Sequence, residues 1–124
     1  MTDTQGIAQT YFRALEARDW TALAELLTDD VVYEMPQSRE RINGRDRYLR
    51  FNQEYPGDWH LAVRRIVAQD NCAAAWIDAR VGDEHQDAIV WLDVDDTGRI
   101  TRVTDFWPEN YEPPLGREHL TERY

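Results

Sequence analysis

Apolar side chains recur at Ile7, Ala8, Tyr11, Phe12 and Leu15, a spacing of three and four that lays one stripe along a helix, with Asp3 or Thr4 placed to cap it. A helix over residues 4 to 18 is predicted. Asp19 can cap a second, shorter helix in which Trp20, Leu23, Leu26 and Leu27 face inward, and Thr28-Asp29-Asp30 ends it. A strand from Asp30 to Pro36 follows. A third helix is predicted from Asn43 to about Tyr55, burying Tyr48, Leu49 and Phe51 before Pro56-Gly57 stops it. From Trp59 the period falls from about 3.6 to 2, which predicts strands near 58 to 69, 72 to 81, 85 to 94 and 99 to 107. Gly82-Asp83 and Asp95-Asp96-Thr97-Gly98 supply turn chemistry, so the later pairings should be antiparallel hairpins. Helices first and strands afterwards define an α+β layer fold rather than βαβ units. At 124 residues the chain is one domain, 1–124, and its end, 109–124, holding Pro113-Pro114, reads as an arm over a neighbour or a frayed tail.

Charge removes several classes of function. With 24 acidic against 14 basic residues and a net charge of −10, the molecule repels phosphate backbones and anionic lipid, so neither nucleic acid nor a membrane is expected as a partner. All 14 basic residues are arginine, which excludes Schiff-base chemistry. Ser38 is the only serine and stands in a loop, against a serine triad. The glycines are scattered, without a phosphate-cradling motif. His60, His85 and His119 lie far apart, so no metal and no cofactor is expected. No apolar run reaches about 18 residues, no leader pattern is read at the N-terminus, and Cys72 stands alone, together an expectation of a soluble, cytoplasmic protein. Two options survive: acid/base work by Asp, Glu, Tyr or His, and a pocket that only binds.

Four pieces of sequence carry a resemblance: Glu16-Ala17-Arg18-Asp19-Trp20 after a tyrosine-bearing helix, Leu27-Thr28-Asp29-Asp30-Val31-Val32-Tyr33, Gly44-Arg45-Asp46, and Gly98 to Trp107. In that order they resemble the nuclear transport factor 2-like superfamily, in particular its SnoaL-like branch, with polyketide cyclases, limonene epoxide hydrolase and ketosteroid isomerase. The resemblance implies a curved sheet wrapped as a cone around the first helix, a deep pocket between them, and a homodimer through the outer sheet face. It places Val103, Asp105 and Trp107 inward, with Val31, Tyr33 and Met35 opposite.

A carboxyl between Val103 and Trp107 in an apolar cavity would lose hydration and have its pKa raised into a useful range, which makes Asp105 the leading acid/base candidate. By resemblance Asp105 matches the water-activating aspartate of the epoxide hydrolase, and Tyr33 its water-positioning tyrosine. That enzyme's asparagine falls at Met35, and its arginine and second aspartate are approximated by Asp78 and Arg80 in reverse order. Asp78, Arg80 and Trp76 share one side of a strand, where an acid/base trio with Asp105 and a plain strand salt bridge are both open readings. Tyr11 matches the isomerase's oxyanion-hole tyrosine, whereas the two isomerase aspartates fall at Met35 and Val90, which argues against that mechanism.

The catalytic candidates are thus Asp105, Tyr33, Asp78 and Arg80. Tyr11, Met35, Val90, Val103, Trp107 and Trp76 are expected to bind substrate. The expected function is a cofactor-independent enzyme of hydrolase, cyclase or dehydratase type acting on a small hydrophobic molecule; the alternative is a non-catalytic module that binds such a molecule or dimerises. Ile89 and Trp91, opposite in phase to Ala88, Val90 and Leu92, are the expected dimer face.

Overall fold

Residues 3–124 are described by the computed structural model, in the order α1 (Thr4–Ala17), α2 (Trp20–Leu26), β1 (Leu27–Met35), β2 (Glu40–Asn43), α3 (Arg45–Glu54), β3 (Trp59–Gln69), β4 (Cys72–Val81), β5 (Glu84–Val94) and β6 (Ile100–Phe106). The Asp3 carboxylate caps α1 by accepting from the Gly6 N–H at 3.0 Å. At the other end Arg18 adopts a left-handed conformation, φ 59°, and closes the helix on the Ala14 and Leu15 carbonyls. Asp19 then caps α2 through the Ala22 N–H at 3.1 Å, so the two helices turn on two residues. The predicted stripe of Ala8, Tyr11, Phe12 and Leu15 is buried.

Three boundaries differ from the sequence expectation. Leu27 opens β1 rather than closing α2, because it pairs with Ile100 of β6 and turns extended there. The four residues of β2, Glu-Arg-Ile-Asn, show no strand period and no strand is predicted there, Asn43 being expected to open the third helix; they become a strand by pairing with Val32 to Met35 of β1. Since β2 uses Asn43, α3 starts two residues later, after Gly44, whose φ of 100° favours glycine and whose N–H reaches the Val31 carbonyl at 2.8 Å.

The six strands form one open mixed sheet, ordered β2-β1-β6-β5-β4-β3, in which only β1 and β6 run parallel. The sheet curves around α1 as a cone, and the three helices pack on its inner side. Alternation sets the two faces: on β4 Ala73, Ala75, Ile77 and Ala79 point inward, and three small side chains let α1 approach closely. On β5 Ala88, Val90, Leu92 and Val94 are buried, while Ile89 and Trp91 are exposed on the outer face as predicted. Of the five tryptophans, Trp20, Trp59 and Trp107 pack against the core, and Trp76 and Trp91 stand on the outer face. Residues 107 to 124 form no helix or strand, and Tyr111, Leu115, Leu120 and Tyr124 are exposed. No helix among the described residues is long and apolar enough to cross a membrane.

Candidate active site

Asp105 sits on β6 with Val103 and Trp107 on its face, and that face is inward. On the neighbouring parallel strand Tyr33 pairs with Val103, one pleat from Asp105. Being on one face at that offset, the Tyr33 hydroxyl donates a short hydrogen bond to Asp105 Oδ2. The other carboxyl oxygen, Oδ1, is buried with no hydrogen-bond partner. Helix α3 closes the third side: the Tyr33 ring stacks at 4.7 Å on Tyr48 and 5.6 Å from Phe51, and Phe51 meets Tyr55 at 5.7 Å.

Above this group opens a cavity of about 580 Å³. Its walls carry Tyr33, Met35, Phe51, Tyr55, Trp59, Leu61 and Trp107, with polar groups from Gln37, Ser38, Asn52, His60, Arg80 and Glu109. Asp105 is only 7% exposed. Burial raises its pKa to about 6, against the pull of the hydrogen bond from Tyr33; the nearby Trp107 side chain also favours the anion without satisfying Oδ1. Burial and the adjacent Asp105 charge push the Tyr33 phenol far above its ordinary value, so it remains a donor. At neutral pH the site therefore holds an ionised carboxylate steadied on one oxygen and free on the other.

Sequence reasoning brought Asp105, Tyr33, Met35 and Trp107 to one cavity, and misplaced others. Tyr11, Val90 and Val103 do point inward, but they lie in the packed core and do not line the cavity. The Tyr11 hydroxyl is taken up by a short hydrogen bond with Tyr48, and burial raises both phenols. Trp76 and Asp78 share a face as predicted, yet it is the outer one, because Ala75, Ile77 and Ala79 occupy the inner. There Asp78 meets His85 at 3.1 Å and Arg64 at 3.8 Å, while Trp76 donates to Asp87 at 2.8 Å. Arg80 lines the cavity at the end of β4, but no trio with Asp78 and Asp105 forms.

Several lining residues went unrecognised. Phe51 and Tyr55 follow from the i, i+4 stripe of α3, but Asn52 and Leu61 gave no signal. His60 reaches the cavity rim between Glu16 Oε2 at 2.8 Å and Asp58 Oδ1 at 3.0 Å. The second oxygen of Glu16 accepts from the Leu61 N–H at 2.9 Å, which ties the end of α1 to the free edge of β3. Trp59 is held from behind by Arg18, whose guanidinium lies 3.3 Å from the ring centroid and donates to the Trp59 carbonyl. Among the described residues no group of three metal-ligating side chains comes together.

Fold and site together define a cone-shaped α+β pocket protein with one buried carboxylate. The SnoaL-like domain model matches residues 8–103, and the chain belongs to the SnoaL-like, nuclear transport factor 2-like family. A solved structure from Kribbella flavida DSM 17836, provisionally assigned as a ketosteroid isomerase, is 54% identical over 100% of this chain and 93% of its own, with a TM-score of 0.94. An NTF-2 like protein of unknown function from Burkholderia xenovorans LB400 is 21% identical, covers 98% and 94%, and has a TM-score of 0.82. An LEH-like epoxide hydrolase from M. tuberculosis is 24% identical, covers 82% and 80%, and has a TM-score of 0.67; at these identities the last two share the fold alone. No curated protein matches the chain.

Proposed function

We propose that this protein is a cofactor-independent enzyme that transforms a small, largely apolar organic molecule by acid/base chemistry at Asp105, of hydrolase, cyclase or dehydratase type. The observation that carries the reading is the divided environment of that carboxyl, on a residue that lines the cavity: Oδ2 is fixed by Tyr33, and Oδ1 is buried without a hydrogen-bond partner. A free carboxylate oxygen with a pKa near 6 can take a proton from carbon or from water at neutral pH and return it to the product. Tyr33, a permanent donor, keeps the carboxyl oriented and shares the charge as it changes. The isomerase assignment of the Kribbella relative fits the same class of chemistry, but Met35 and Val90 cannot transfer protons, so an isomerisation here would also run through Asp105.

The test is a turnover screen with epoxides and with activated ketones, followed by Asp105→Asn on any substrate found. Loss of about 10²-fold or more, in a variant that still melts cooperatively, supports the assignment. Unchanged turnover removes it. The separation of Tyr11, Asp78 and Val90 from the cavity favours a second reading, a hydrophobic-ligand-binding module without chemistry. A ligand that raises the melting temperature and is never transformed would favour that one.

A further inference from the structure

Asp105 brings a negative charge into the cavity, and among the described residues it forms no salt bridge with a cation. Its hydrogen bond comes from the neutral Tyr33 phenol, the Trp107 side chain that also favours the anion is neutral as well, and Oδ1 has no partner. Two cavity residues, His60 and Arg80, could supply positive charge, but they are cross-strand partners in one row of the sheet. The row of Asp105 passes through Val90 and Ala75, and Arg80 lies five residues beyond Ala75, about 16 Å along β4. His60 is moreover already held between two carboxylates. A carboxylate left unpaired at such depth interacts strongly with any cation that reaches it.

The wall around Asp105 is suited to an organic cation. Tyr33, Phe51 and Tyr55 form a continuous run of ring contacts, and Trp59 and Trp107 add two indoles to the lining. Aromatic faces attract cations, and Arg18 stacked on Trp59 shows one ring of this wall already doing so. The net charge of −10 draws cations toward the molecule as a whole.

We propose that the cavity takes a small lipophilic amine in its protonated form, with an ammonium N–H on the Asp105 carboxylate and the apolar body against Tyr33, Phe51 and Trp107. This rests on the reading of the Asp105 cavity as the functional site. An ammonium on that carboxylate occupies the base, so amines of this class compete with the substrate of the acid/base reaction.

Calorimetric titration of the full chain at about pH 7.5 with benzylamine, benzyl alcohol and benzyltrimethylammonium tests it. Benzylamine should bind about tenfold or more tightly than the alcohol, and the quaternary ion, which has no N–H, should fall between them. Amine affinity should drop in Asp105→Asn and also in the unmutated protein as the pH falls through about 6, where the carboxyl takes up its proton. Equal affinity for amine and alcohol, an Asp105→Asn variant that keeps the amine, or no saturable amine binding at millimolar concentration overturns the proposal. Asp105-dependent turnover of a neutral substrate without amine binding sinks only the amine; saturable amine binding without any turnover sinks only the reaction.

Discussion

In water an aspartate carboxylate is hydrated on both oxygens, whereas Asp105 exchanges that shell for one phenol and a largely apolar cavity. Its folded pKa of about 6 lies above the ordinary value of 3.8, so the native state holds the proton more tightly than the unfolded chain. The resulting stabilisation is fully present below the unfolded pKa and is lost as the pH rises through about 6. The difference corresponds to about 3 kcal/mol between acidic and neutral pH. Calorimetric unfolding between those limits should show this loss, and Asp105→Asn, which cannot ionise, should flatten it and raise the melting temperature at neutral pH. A variant less stable than the parent at neutral pH would contradict this. Asp105 could be read from sequence because it alternates in phase with Val103 and Trp107, and the family resemblance turns that shared face inward. Tyr11 could not, since facing inward does not tell how deep a side chain lies, and the Tyr48 hydroxyl that claims it comes from another element.

At the scale of elements, α3 delivers Phe51, Asn52 and Tyr55 to the cavity, and its entry is fixed by Gly44. With φ 100° and ψ 146°, Gly44 sits near a region essentially reserved for glycine. Gly44→Ala should cost about 1 to 3 kcal/mol in denaturant unfolding and shift α3 against β1. The expected structural readout is altered near-ultraviolet dichroism of the Tyr33–Tyr48 contact; an unperturbed melt would show that the turn tolerates a side chain. α1 and β3 to β6 were legible in the sequence because their apolar periods are long and single-phased. β2 was not, because four mostly polar residues carry no period and become a strand only where β1 offers an edge. Likewise Leu27 carries an apolar side chain that suits a helix or a strand, and its partner Ile100, 73 positions away, decides.

For the molecule as a whole, the outer sheet face exposes Trp76, Ile89, Trp91 and Phe106. Apolar side chains gathered on one face favour a covering partner, and a homodimer through this face is the expected arrangement. Light scattering at micromolar concentration should give about twice the 14.6 kDa of one chain, and Trp91→Glu should halve that mass without unfolding the protein. A monomer would remove the expectation.

Sequence alone determined the order and type of the long elements, the α+β class and the resemblance to the SnoaL-like family, because alternation and helical spacing are local properties of a chain; the inward face of Asp105 and Tyr33 followed from that resemblance. Tertiary structure decided which inward residues remain open to a ligand. Curvature of the sheet, the depth of the Tyr11–Tyr48 pair, the outward turn of Asp78 and the closing wall of α3 depend on contacts between residues remote in sequence. They leave Asp105 on the cavity wall with one carboxyl oxygen, Oδ1, buried and without a partner.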